Sequence, residues 1–193
     1  MKLTLASGSI ARRKLLEDLE LKFDVLKTDA KEVSYSANCG EYVKDLAKVK
    51  ADAALLKVKE GIIIAADTVC YYNGEILGKP KSREEAIKML YSDKERVQDV
   101  WTGVAIYDLE KNKKVIFSEC TKVYLDKMDM EDVEFYIDND ETVYKRAGAY
   151  SINGRNSFFT KKIEGDYTNV IGLPVCRIYA ELKKLGYSLK DFM

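Results

Sequence analysis

Apolar and polar positions recur along this chain with two different periods, and the change from one to the other marks out its elements. Leu3 to Ala6 is a short apolar run of the kind a strand makes. Ser9 then offers a helix cap, and Leu15, Leu16 and Leu19 follow on one stripe, which predicts a helix from Ser9 to about Leu19. Glu41 to about Lys59 reads as a longer helix, and Gly61 to Asp67 as a buried strand. The strongest local signal is Asn73-Gly74 between the strand-forming residues of Cys70–Leu77, a two-residue hairpin turn. With Tyr72 opposite Glu75, counting outward sets Thr68 opposite Lys79 and Asp67 opposite Pro80. Ser82-Arg83-Glu84-Glu85 fits a capping box and opens a helix ending near Tyr91.

Val97 to Tyr107 and Val115 to Leu125 alternate apolar and polar residues across a charged turn at Glu110 to Lys113, so an antiparallel pair is expected. A helix is expected around Glu131 to Ile137, and strands near Ala147 to Ile152 and Ser157 to Ile163. A last helix is expected from about Pro174 to Leu185, with Gly186 to end it. The order β-α-α-β-β-α-β-β-α-β-β-α implies an α/β protein with a mixed sheet covered by helices, and residues 1–193 read as one domain without linker or repeat.

Composition narrows the chemistry. The 32 basic and 32 acidic residues cancel, which gives no support to polyanion binding along an extended basic face. Thirteen tyrosines could stack on RNA bases, but no basic stripe accompanies them, so nucleic acid is not an expected partner. The longest purely apolar run, Ile62 to Ala66, is far short of the roughly 20 residues of a membrane helix. The N-terminus enters a strand pattern directly and no cysteine pair has CxxC spacing, so a cytoplasmic protein with reduced thiols is expected. Histidine is absent, which removes Ser-His-Asp and Cys-His catalysis and every histidine-based metal site. Carboxylates, cations, hydroxyls or an oxygen-bound metal must do any chemistry.

Candidate residues follow from position. Ser7-Gly8-Ser9 precedes a helix, whose first N–H groups and positive dipole end suit a phosphate. Arg12 and Arg13 fall in the first turn, where cations oppose that dipole unless they face an anion; a plain serine cap with solvated arginines is the other reading. Lys50 shares a helical stripe with Val43, Leu46, Ala47 and Ala54, so its ammonium must reach a partner or snorkel to water. Asp67 ends an apolar strand, a good place to bind a metal or activate water. The hairpin register makes Lys79 its neighbour, as a shared site or as a simple salt bridge. Glu32, in the loop-like stretch 28–38, could add an oxygen ligand or be one surface glutamate among many. Together these types suit attack of water on a polyphosphate, with cations and magnesium cancelling charge and a carboxylate priming the water.

Seven blocks carry a resemblance. They are Leu5-Ala6-Ser7-Gly8-Ser9 with Arg12, Leu15 and Leu16; Leu46–Ala51; Ala66-Asp67-Thr68-Val69; Ile76–Pro80; Thr102-Gly103-Val104; Ala147-Gly148-Ala149-Tyr150; and Gly165–Pro174. In this order the sequence resembles the Maf family of nucleotide pyrophosphatases. The resemblance implies a mixed α/β fold with two lobes around a cleft, similar to inosine triphosphate pyrophosphatases, and a homodimer. It implies hydrolysis of nucleoside triphosphates between the α and β phosphates with a divalent cation, Mg2+ or Mn2+. Asp67 takes the role of proton acceptor, with Lys50 and Lys79 as catalytic cations; Ser7, Ser9, Arg12 and Arg13 line the phosphates; Glu32 and Asp67 hold the metal.

The same resemblance places base selection at Ala11, Thr68 and Asn153, and at Ala11 and Asn153 the chain departs from the family pattern. The branch acting on dTTP and UTP usually has Ser-Pro-Arg-Arg where this chain has Ser9-Ile10-Ala11-Arg12. That branch also has a glutamine where Asn153 stands, while Thr68 fits it. A shorter amide re-aims any base contact. A nucleotide-binding regulator of septum formation at cell division, without significant catalysis, is the alternative the resemblance leaves.

Overall fold

Leu3–Ala6 is buried along its whole length and forms the first strand, β1 (Leu3–Ala6), in a computed structural model that describes residues 1–193. The chain continues through α1 (Ile10–Asp18), β2 (Asp24–Val25), α2 (Cys39–Leu55), β3 (Ile62–Tyr72), β4 (Glu75–Leu77), α3 (Arg83–Leu90), β5 (Arg96–Asp108) and β6 (Lys113–Leu125). Then come α4 (Met130–Asp138), β7 (Thr160–Glu164), α5 (Tyr167–Ile171) and α6 (Val175–Lys184). The strands form one mixed sheet in the order β2-β1-β3-β5-β6-β7, with β4 added to β3. The fold is therefore the expected α/β class. The chain divides into two compact units, residues 1–68, 102–119 and 168–193 in one and 69–101 with 120–167 in the other.

In the first unit β1 is the central strand, parallel to β2 (Thr4 opposite Asp24) and to β3 (Leu3 opposite Ile62, through Ala6 opposite Ala65). Alternation sorts the side chains. Leu3, Leu5, Ile62, Ile64, Ala66, Val104 and Ile106 face one side, against Leu16 of α1 and Ile178 and Leu182 of α6. Ala6, Ile63, Ala65, Ala105 and Tyr107 face the other, against Ala47, Ala51 and Ala54 of α2. Each fully buried large apolar side chain contributes roughly 1.5–3 kcal/mol. The small alanines let α2 lie close on the sheet, and Gly103 completes the fit: a Cβ there would sit 2.1 Å from the Val43 carbonyl oxygen.

The second unit holds the hairpin. Asn73 and Gly74 both have positive φ, 51° and 84°, as a type I′ turn requires, and Tyr72 pairs with Glu75. The ladder stops at Cys70 opposite Leu77, two pairs short of Thr68 and Lys79, so strand pairing does not bring Asp67 and Lys79 together. Ser82 caps α3 and Asp129 caps α4 through their side-chain oxygens. β6 and β7 pair antiparallel from Lys122 opposite Glu164, with an irregularity after Tyr124.

Two expected elements are corrected here. Residues 147–152 are not a strand: Gly148 and Ala149 take left-handed φ values of 67° and 66°, in a short 3-10 turn over Ala147–Ala149. That turn seats Gly148 against the Cys70 side chain, where a Cβ would lie 3.1 Å from sulfur. Gly154–Phe159 is also 3-10, which leaves only β7 of the expected second strand. Asp67 is not at the end of its strand, because β3 runs on to Tyr72.

Candidate functional site

The end of β1 explains the site. Its pairing with β3 closes at Ala6–Ala65, and the chain then turns through Ser7-Gly8-Ser9 into α1, so β3 continues past Ala66 without β1 beside it. The connection from β1 leads through α1 to β2 on one side, and α2 returns to β3 on the other. This is the switch point at the carboxyl ends of parallel strands where open α/β sheets bind ligands.

Alternation along β3 then assigns the next two side chains. Asp67 shares parity with Ile63 and Ala65 and so faces α2; Thr68 shares parity with Ile62 and Ile64 and faces α1 and α6. On the α2 side, Lys50 stands on the stripe of Val43, Leu46, Ala47 and Ala54, all buried. Its ammonium is bonded to Asp67 Oδ1 and lies 3.1 Å from Glu32 Oε2, with side-chain exposures of 12%, 14% and 46% for Lys50, Asp67 and Glu32. A lysine in an apolar stripe thus finds two carboxylates rather than bulk water.

On the opposite side Arg12 is buried at 7% exposure and uses three of its donors within the fold. Nε donates to the Gly172 carbonyl at 2.7 Å, Nη1 to Ser7 Oγ at 3.1 Å and Nη2 to Thr68 Oγ1 at 2.8 Å. Burial pushes its pKa down, and the charges of Asp67 and Glu32 oppose that shift. Gly172 has φ 114°, and a Cβ there would lie 3.3 Å from Arg12 Nε, so both the turn and the close approach call for glycine. Thr68 Oγ1 also meets Thr102 Oγ1 at 2.9 Å, and Thr102, fully buried, donates to the Asn169 carbonyl at 3.1 Å.

The structure therefore brings Ser7, Arg12, Glu32, Lys50, Asp67 and Thr68 into one cluster. Ser9 is the cap of α1, accepting from the Arg12 N–H at 3.4 Å, and Ser7 Oγ accepts from the Ser9 N–H at 3.2 Å. Arg13 stays outside: its Nε donates to Glu17 at 2.7 Å, one turn along α1, and it lines a surface hollow of about 530 Å³ with Leu21 and Phe23. Ala11 is exposed on α1. Lys79 and Asn153 are exposed residues of the second unit, where Asn153 Oδ1 accepts from the Tyr167 hydroxyl at 2.7 Å. Gly172, Thr102 and Asn169 were not singled out as site residues from the sequence. All three were legible only as members of motif blocks, since the contacts of Arg12 to Gly172 and of Thr102 to Asn169 run to backbone carbonyls, which no side-chain type announces.

A mixed α/β sheet with a cation–carboxylate cluster at its switch point has its charged groups where open sheets of this kind bind ligands. The chain matches the Maf-like protein family over residues 2–185 and belongs to that family. It is 43% identical over 187 residues to the dTTP/UTP pyrophosphatase of Carboxydothermus hydrogenoformans (strain ATCC BAA-161 / DSM 6008 / Z-2901), covering 97% of this chain and 100% of that one. It is 45% identical over 185 residues to the dTTP/UTP pyrophosphatase of Caldanaerobacter subterraneus subsp. tengcongensis, covering 95% and 89%. Among solved structures it is similar to the Ham1 protein of Staphylococcus aureus, with a TM-score of 0.47 and 15% identity over 65% of this chain and 72% of that one. No helix is long and apolar enough to cross a membrane.

Proposed function

We propose that this protein is a nucleoside triphosphate pyrophosphatase, acting on dTTP and UTP as its named relatives do and releasing a nucleoside monophosphate and diphosphate. The observation that carries this reading is Lys50 held by both Asp67 and Glu32 at the open end of β1, with buried Arg12 beside them. Within the cluster two cations, Arg12 and Lys50, balance two carboxylates, so a triphosphate entering it adds uncompensated negative charge. Further positive charge must come with the substrate.

The donor set fits a hard divalent cation. Glu32 and Asp67 offer only carboxylate oxygens, and magnesium is commonly bound by one or two carboxylates completed by phosphates and water. When bound, Mg2+ or Mn2+ would be held by Glu32 and Asp67 and would supply charge neutralisation at the phosphates. Lys50 and Arg12 grip phosphate oxygens, with Ser7 as a further donor, and Lys79 serves as a second catalytic lysine. Asp67 takes the proton from the attacking water. Ser7 and Ser9 at the start of α1 add the positive end of a helix dipole. Asn153 and the exposed Ala11 select the base. The whole chain acts as one functional domain, as a cytoplasmic homodimer.

The test is release of diphosphate from a panel of deoxy- and ribonucleoside triphosphates with magnesium or manganese. Thymine and uracil nucleotides are expected to give monophosphate and diphosphate at the highest kcat/KM. Orthophosphate as the product, or tight nucleotide binding with no turnover of any nucleotide, would overturn the reading, the second in favour of a nucleotide-binding regulator.

A further inference from the structure

Thr68 follows the proposed proton acceptor directly, and its family position is one expected to contact the base. A count of hydroxyl protons gives it a different task. Thr102 Oγ1 has one proton, and that proton is donated to the Asn169 carbonyl inside the fold. In the 2.9 Å contact between the two threonines, Thr102 must therefore accept and Thr68 must donate. The single proton of Thr68 is thereby spent, and Thr68 Oγ1 accepts from Arg12 Nη2 at 2.8 Å. The hydrogen bonds all run one way: Arg12 to Thr68, Thr68 to Thr102, Thr102 to the backbone of α5.

The surroundings hold this order in place. Thr102 has no solvent exposure and so no water to exchange with, and a buried hydroxyl without its partner is costly. Thr68 and Thr102 lie on the same face of neighbouring strands by parity with Ile62 and Ile64 on β3 and Val104 and Ile106 on β5. The guanidinium is fixed at Nε by the Gly172 carbonyl, which belongs to the same segment as Asn169. Nε, one Nη1 proton and one Nη2 proton are committed, which leaves one N–H on each terminal nitrogen.

We infer that Thr68 and Thr102 are positioning residues for Arg12: a one-way hydroxyl relay anchored on the Asn169 carbonyl sets the guanidinium plane so that its two remaining N–H groups meet phosphate. Thr68 then has no proton to offer a nucleobase and can meet one only as an acceptor. This inference rests on the polyphosphate reading of the site.

Thr102→Val removes the acceptor for the Thr68 proton, and Thr102→Ser restores it. The readout is affinity for a non-hydrolysable α,β-imido triphosphate by calorimetry, alongside KM and kcat across thymine, uracil and cytosine nucleotides. Thr102→Val is expected to weaken binding and raise KM by about tenfold, by the same factor for every base and with little change in kcat. Thr102→Ser is expected to return wild-type values. Should Thr102→Val fail to fold, Thr68→Val breaks the relay one step earlier and is expected to give the same tenfold loss of binding. A change in the thymine-to-cytosine preference of more than about threefold in Thr102→Val, or unaltered binding in both valine variants, would overturn the inference. Binding is measured without turnover. A wild type that binds triphosphates yet releases no diphosphate would therefore refute the proposed activity and leave the relay to be judged on affinity.

Discussion

Two ionic clusters, one in each unit, use the same residue types to different ends. In the second unit Arg146 Nη1 donates to Asp140 at 2.7 Å and to the Tyr136 hydroxyl at 2.9 Å, while the Thr142 N–H and hydroxyl both donate to Asp140. One cation meets one carboxylate, and neighbours take up their further valences. In the first unit one ammonium serves two carboxylates, and one of these, Glu32, is nearly half exposed. Arg12 there spends one N–H from each of its three nitrogens on Gly172, Ser7 and Thr68 and keeps two. A cluster closed on itself braces a fold, whereas one that leaves donors and acceptors unspent beside solvent is a place for a ligand.

That contrast can be broken most sharply at Asp67. Asp67→Asn is expected to lower turnover by ~10²-fold or more, the usual contribution of a positioned acid or base. Near-normal turnover in steady-state assays would remove Asp67 from the chemistry. A smaller effect is expected at Lys50, whose ammonium already occupies both carboxylates before any metal arrives. Without nucleotide, Lys50→Met is expected to bind Mn2+ about tenfold more tightly than the wild type, by electron paramagnetic resonance titration. Equal affinities would mean that the lysine does not compete with a cation for this pair.

The smallest effect belongs to the closed cluster. Asp140→Asn is expected to cost about 1 kcal/mol, a fall of roughly 2–4 °C in Tm for a chain of this size, with kcat/KM unchanged. Burial alone would raise the pKa of Asp140, but the hydrogen bonds from Thr142 and Arg146 outweigh it and hold it below the ordinary value. A depressed carboxylate stabilises the folded state above its unfolded pKa of about 3.9 and loses that contribution as pH falls through the folded value. The acid limb of a thermal-melt series below about pH 4 should therefore flatten in Asp140→Asn. An unaltered limb, or a loss of activity comparable to that of Asp67→Asn, would erase the distinction between the clusters.

Much of this was legible in the sequence because it is local. Periodicity located β1, α1, α2 and the paired long strands, Asn73-Gly74 located the hairpin, and serines marked the caps of α1 and α3. The position of Lys50 in an apolar stripe already demanded a partner or a path to water, since an ammonium cannot be left dry. The expected strand at 147–152 failed because its backbone is not extended. Gly148 and Ala149 are both left-handed, and Gly148 is seated against the Cys70 side chain, a contact no local propensity announces.

The sequence by itself determined which residues carry charge, which strands alternate and where the chain must turn. It could not determine which acid meets Lys50, because a loop glutamate such as Glu32 has no periodicity to fix its place. Nor could it show that Arg12 would reach across 160 residues to the Gly172 carbonyl, or order the hydroxyls of Thr68 and Thr102. Those pairings arise when β3 outruns β1 and opposite faces of one strand are presented to different helices. The physical reason is that side-chain parity is written locally, while the partner waiting on each face is supplied by the sheet order and by helix contacts distant in the chain.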